Sequence, residues 1–156
     1  MSLFLGPTLD WNTTAIVFAT SGSEVNQVNQ PFSIFIPDGS DFLYVADYGN
    51  YRVLQRSLID SSSTIVAGGQ GPGANATQLQ NPGAVFVDKS GGILVMDCGN
   101  ARAQYFENGS RVGRTVAGDG TQGTASNQLG AGVGGIALDS EDNVYVSEYG
   151  NNRVTK

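Results

Sequence analysis

Short apolar and β-branched runs alternate along the chain with clusters of Gly, Asp, Asn and Ser. That pattern predicts many short strands joined by tight turns, not helices. The runs recur in a fixed order. A first strand is predicted at 33–36, 84–87 and 135–138, and a second at 43–46, 93–96 and 144–147. A third follows at 53–56, 103–106 and 153–156, and a fourth at 64–67 and 115–117, with its earliest copy at 15–19. Between first and second strands lie turns opened by Asp38, Asp88 and Asp139, rich in residues that tolerate positive φ.

A sharper repeat sits between second and third strands. Asp47-Tyr48-Gly49-Asn50-Tyr51-Arg52 returns as Asp97-Cys98-Gly99-Asn100-Ala101-Arg102 and as Glu148-Tyr149-Gly150-Asn151-Asn152-Arg153. Even the connecting loop repeats. Gln27-Val28 precedes Pro31 as Gln78-Leu79 precedes Pro82, and Gln128-Leu129 stands in register although Gly132 replaces the proline. A sandwich rarely gives units this similar, and solenoid coils carry fewer strands per turn. The fold class expected is therefore all-β: a β-propeller of four-stranded antiparallel blades, with about three blades present.

The repeated polar residues read as structural. Asp47, Asp97 and Glu148 can accept N–H groups of the turn and pair with Arg52, Arg102 and Arg153. Gly49, Gly99 and Gly150 are expected to supply positive φ, and Asn50, Asn100 and Asn151 to cap the turn. In a propeller, Tyr48, Tyr51, Tyr149 and Asn152 would gather on one face with the loops 69–80 and 118–128. Such residues make a candidate contact surface for a protein or peptide ligand.

The unit resembles the NHL repeat over residues 13–156. The likeness rests on Pro82-Gly83-Ala84-Val85-Phe86-Val87-Asp88, Leu94-Val95-Met96-Asp97, Gly99-Asn100-Ala101-Arg102 and Val116-Ala117-Gly118-Asp119-Gly120. The histidine step of that motif is Tyr51, Ala101 and Asn152 here, and Glu148 replaces the Asp. The resemblance implies a non-catalytic propeller module for protein or peptide binding. In that family such modules recruit substrates for tripartite-motif ubiquitin ligases or serve as extracellular sensor and adhesion domains. The alternative it leaves is a calcium-dependent six-bladed propeller hydrolase or lyase.

On this reading residues 1–12 are a lead-in and 13–156 are blades, with units at 31–80, 81–130 and 131–156. An outer strand within 13–22 would close a blade. Three blades are half of a six-bladed ring and too few to close one. Either the chain is part of a longer propeller, or two copies form a homodimer that completes the ring.

Composition narrows the chemistry. Eight Lys and Arg against 14 acids, a net charge of −6, leave no cationic footprint for nucleic acid. No apolar run is long enough to span a membrane, and residues 1–11 lack the features of a signal peptide. Three sequons, at Asn12, Asn75 and Asn108, lean towards secretion, so the compartment stays open between extracellular and cytoplasmic. Cys98 is the only cysteine and reads as a buried spare thiol. With no His, neither a Ser-His-Asp set nor a zinc site can form. Asp38, Asp88 and Asp139 read as turn residues before calcium ligands. The Gly-rich stretch 68–73 lacks the Lys of a phosphate loop and reads as a connector. No cofactor or metal is expected.

Overall fold

The computed structural model describes residues 17–156. Two short strands, β1 (Thr20–Ser21) and β2 (Gln27–Val28), pair in parallel ahead of the first large sheet. That sheet holds β3 (Pro31–Phe35), β4 (Phe42–Asp47), β5 (Arg52–Ser57) and β6 (Ser63–Gly68), antiparallel and in that order. The second repeats it with β7 (Pro82–Val87), β8 (Ile93–Asp97), β9 (Arg102–Phe106) and β10 (Gly113–Ala117). The third has three strands, β11 (Val133–Leu138), β12 (Val144–Glu148) and β13 (Arg153–Thr155). Register repeats as well: Ile34 lies opposite Val45, Val85 opposite Val95, and Ile136 opposite Val146.

Strand alternation assigns each side chain to one face of its sheet. Val85, Val87, Ile93 and Val95 of the second sheet pack with Tyr44, Ala46, Val53 and Ala67 of the first. On the opposite face, Ala84, Leu94, Met96 and Ala103 pack with Ile136, Leu138, Val144 and Val146 of the third. The core therefore lies between sheets stacked face to face, which is the packing of propeller blades. Leu79 and Leu129 reach in from the connecting loops to plug these two cores. Burying each such side chain contributes roughly 1.5–3 kcal/mol.

The expected strand at 15–19 is not continuous in the structure. Residues 17–19 carry no strand, and Thr20–Ser21 pairs with its own connector instead of a blade edge. Residues 1–16, which take in the whole lead-in and the start of the 13–22 closing segment, lie outside the described residues. The parallel contact recurs as the bridges Pro72 to Leu79 and Gln122 to Leu129, so it belongs to the connector and not to a blade.

Candidate functional site

The polar motif forms a clamp, built three times. A 3-10 turn joins second to third strand at Tyr48–Asn50, Cys98–Asn100 and Tyr149–Asn151. In the first blade, Asp47 Oδ2 accepts from Arg52 Nε at 2.7 Å and from Asn50 Nδ2 at 2.8 Å. Its Oδ1 accepts from the Asn29 N–H at 2.7 Å. The remaining Arg52 nitrogens donate to the carbonyls of Ser23, Glu24 and Gln27, at 3.0, 2.6 and 2.8 Å. Asn50 also donates to the Gly22 carbonyl.

The second clamp reproduces every bond. Asp97 holds Arg102 at 2.9 Å, Asn100 at 2.8 Å and the Gln80 N–H at 2.6 Å. Arg102 in turn donates to the carbonyls of Ala74, Asn75 and Gln78. In the third, Glu148 takes Arg153, Asn151, the Gly130 N–H and the Thr155 hydroxyl. Arg153 reaches the carbonyls of Thr124, Ala125 and Gln128. Each motif thus fastens the connector that precedes its own blade.

Three details differ from the sequence expectation. The carboxylates take N–H groups of the connector (Asn29, Gln80, Gly130), and no side chain caps the 3-10 turns. The asparagines tie a connector carbonyl to the carboxylate. The positive φ falls on Tyr51 (56°), Ala101 (45°) and Asn152 (51°), not on the glycines. Gly99 and Gly150 are needed for proximity: a Cβ would lie 2.7 Å from the Gln80 oxygen and 1.9 Å from the Ala131 oxygen.

Electrostatics separate the clamps. Burial pushes the Asp97 carboxyl up, against the Asn100, Gln80 and Arg102 donors that favour its charged form. Burial opposes Glu148 too, but Arg153, Thr155, Gly130 and Asn151 outweigh it and hold its pKa down at about 2. The half-buried Cys98 thiol packs over Gly83, and burial lifts its pKa to about 11, far from a reactive thiolate.

The four candidate contact residues fall into two pairs on different blades. Tyr48 is half-buried and stacks on Phe32 with ring centres 5.6 Å apart. Tyr51 is half-buried, and its carbonyl accepts the Gly69 N–H at 3.0 Å. Tyr149 is 76% exposed and lies over Gly132. Together with the exposed Asn152, and with Arg153 and Val154, it lines a shallow depression.

One cavity was not visible in the sequence. A cleft of about 1210 Å³ opens between the second and third blades, lined among others by Asp88, Tyr105, Arg114 and Asp139. Its acidic residues serve their turns. Asp88 accepts from the N–H groups of Ser90 and Gly92 and from the Tyr105 hydroxyl, at 2.7, 2.9 and 2.7 Å. Burial works against its charge, but these bonds prevail and its carboxyl stays below the usual range. Asp139 is held lower by the Asn143 side chain first, then by N–H groups of Asn143 and Glu141 and the Tyr145 hydroxyl. Asp38 lies in the matching turn of the first blade. Among the described residues, no three His, Cys, Asp or Glu side chains group as a metal site.

Blades of this topology, stacked through these cores, define a β-propeller. Solved structures share the fold. An auxiliary nutrient binding protein from Bacteroides thetaiotaomicron is 16% identical with a TM-score of 0.60, over 78% of this chain and 35% of its own. A protein of unknown function from the same organism is 17% identical with a TM-score of 0.60, over 72% and 31%. A catalytically inactive virginiamycin B lyase from Staphylococcus aureus, solved with quinupristin, is 12% identical with a TM-score of 0.58, over 85% and 39%. The chain thus spans about a third of the length of these structures. No protein-family model and no curated protein matches it.

Proposed function

We propose that this chain is a non-catalytic propeller module of NHL type that binds a protein or peptide ligand through its loop face. The observation carrying this reading is how the polar residues are used. The recurring Asp or Glu, Asn and Arg of each motif are spent inside a clamp, whereas Tyr149 and Asn152 stay exposed beside a depression. An exposed aromatic beside an adaptable amide suits peptide recognition, since Tyr supplies contact area at low entropic cost. The nutrient binding protein with the same fold lends support from outside the chain.

The test is selection from a displayed random-peptide library on the whole 156-residue chain. Tyr149→Ala and Asn152→Gly, the latter keeping the left-handed φ of 51°, should each weaken the selected peptides about tenfold or more, with thermal unfolding changed little. Failure of any peptide to enrich, or affinity indifferent to both substitutions, would sink the reading. The lyase among the structural neighbours keeps a second reading in play, a calcium-dependent hydrolase or lyase. Millimolar calcium should then raise the melting temperature by mass action, and no shift rejects it.

A further inference from the structure

One motif in the connectors is not demanded by the clamps. Asn75-Ala76-Thr77 has the spacing of an acceptor for an Asn-linked glycan. The matching positions hold Glu24-Val25-Asn26 ahead of the first blade and Ala125-Ser126-Asn127 ahead of the third. The repeat therefore does not require an Asn-x-Thr step there. The connector that carries it runs between the first and second blades, and the structure describes both.

A folded chain can carry a glycan only where the amide faces solvent, because the carbohydrate is bulky and polar. The clamp imposes that orientation on Asn75. Its carbonyl accepts from Arg102 Nη2 at 3.2 Å and from the Gln78 N–H at 3.0 Å, and the Ala76 carbonyl accepts from the Gly113 N–H at 2.8 Å. All three bonds use the main chain of the motif. The tripeptide is thus fixed by its backbone while the Asn75 side chain stands exposed. The arrangement recurs, since Arg52 and Arg153 hold the carbonyls of Glu24 and Ala125, whose side chains are exposed too. Among the described residues the Asn75 side-chain amide has no hydrogen-bond partner. The Thr77 hydroxyl makes one long contact, 3.5 Å, to Gln70 Oε1.

The second sequon is built differently. Asn108-Gly109-Ser110 lies in the turn between β9 and β10, and its amide is already in use. Asn108 Nδ2 donates to the Ser90 carbonyl at 3.0 Å. The same nitrogen lies 2.6 Å from where a Cβ on Gly91 would stand, so it is pressed against that backbone. The Ser110 hydroxyl is tied to Val112, donating to its carbonyl and accepting from its N–H. A sugar on Asn108 Nδ2 would have to displace the turn at Ser90 and Gly91. Asn12 lies outside the described residues.

From this contrast we infer that Asn75 is a glycan-acceptor site, supplied by a polyprenyl pyrophosphate-linked oligosaccharide. Asn75 Nδ2 bonds to the anomeric carbon of the first sugar as the bond from that carbon to the pyrophosphate oxygen breaks. The lipid pyrophosphate leaves with the electron pair, and the amide gives up one proton to the transferase. The glycan then stands on the side of the blades that bears the 3-10 turns, since Asn100 and Arg102 hold the neighbouring carbonyls of Gly73 and Ala74.

The test is expression of the 156-residue chain behind a cleavable signal sequence in a eukaryotic secretory host. Glycopeptides from the secreted and the cell-retained pools are both read by mass spectrometry, so poor secretion does not hide the answer. Asn75 should carry a glycan, at higher occupancy than Asn108, and Thr77→Ala should abolish it. A bare Asn75 in both pools, or one occupied no more than Asn108, overturns the proposal. So does a Thr77→Ala chain that keeps the glycan at Asn75.

Discussion

Arg102 donates from Nε to Asp97 Oδ2 at 2.9 Å while its other nitrogens hold three carbonyls of the preceding connector. One guanidinium thus couples a buried carboxylate to a loop more than twenty residues upstream. Arg102→Met would leave that carboxylate buried beside unanswered carbonyls, and should cost about 3–5 kcal/mol of stability in urea unfolding. Arg102→Lys should recover only part of the loss, because an ammonium cannot span the fork. A loss below about 1 kcal/mol for the Met variant, the range of a surface pair, would refute the clamp.

Position 99 needs closeness and position 101 needs handedness. Gly99→Ala would drive a methyl against the Gln80 carbonyl and should destabilise by about 1–3 kcal/mol. Ala101→Gly relieves a left-handed residue at φ 45° and should change stability by less than about 1 kcal/mol. Thermal unfolding of the two variants checks this directly, and equal losses would contradict it.

Gln104 is 1% exposed, and among the described residues neither of its amide atoms has a hydrogen-bond partner. It lies opposite Val95, as Leu54 lies opposite Val45 in the first blade. Gln104→Leu should therefore raise stability by about 1–3 kcal/mol, since a buried unpaired amide is removed. A drop in the unfolding midpoint would show that the amide is satisfied in solution.

Acid should loosen the third blade. Glu148 holds a pKa of about 2 when folded against 4.5 as its ordinary value, so the unfolded chain protonates first as pH falls. Its stabilisation is complete above pH 4.5 and is lost as pH falls towards 2. Asp88 and Asp139 shift the same way, whereas raised Asp97 works in the opposite sense. Melting curves across this range should slope downward with acid, and Glu148→Gln should flatten the slope. An unchanged slope in that variant would remove Glu148 from the account.

The blades were legible in the sequence because strand alternation and the Asp-Gly-Asn-Arg spacing are written in side chains. The pairing of Asp47 with Arg52 was legible for the same reason. The clamp's other half was not, because its acceptors are main-chain carbonyls of Ser23, Glu24 and Gln27, which carry no residue signature. Gly49 and its equivalents suggested positive φ, but a recurring glycine looks the same whether torsion or contact demands it. The signal that could have separated them is Ala101, a residue with a Cβ at the place where the turn reverses hand. Tyr48 and Tyr149 share one motif position, yet among the described residues only the first finds a ring to stack on, since Phe32 has no aromatic counterpart at Gly83 or Gly134.

Because each clamp grips the connector upstream of its own blade, the array has a mechanical polarity. A pull on the chain between two blades is carried into a buried ion pair and not along a strand edge. The side chains of Arg52 and Arg102 are 6% and 11% exposed, whereas that of Arg153 is 29% exposed and so most open to water. Stretched between its ends in single-molecule experiments, the chain should yield at the third blade first and leave the first two as one resistant body.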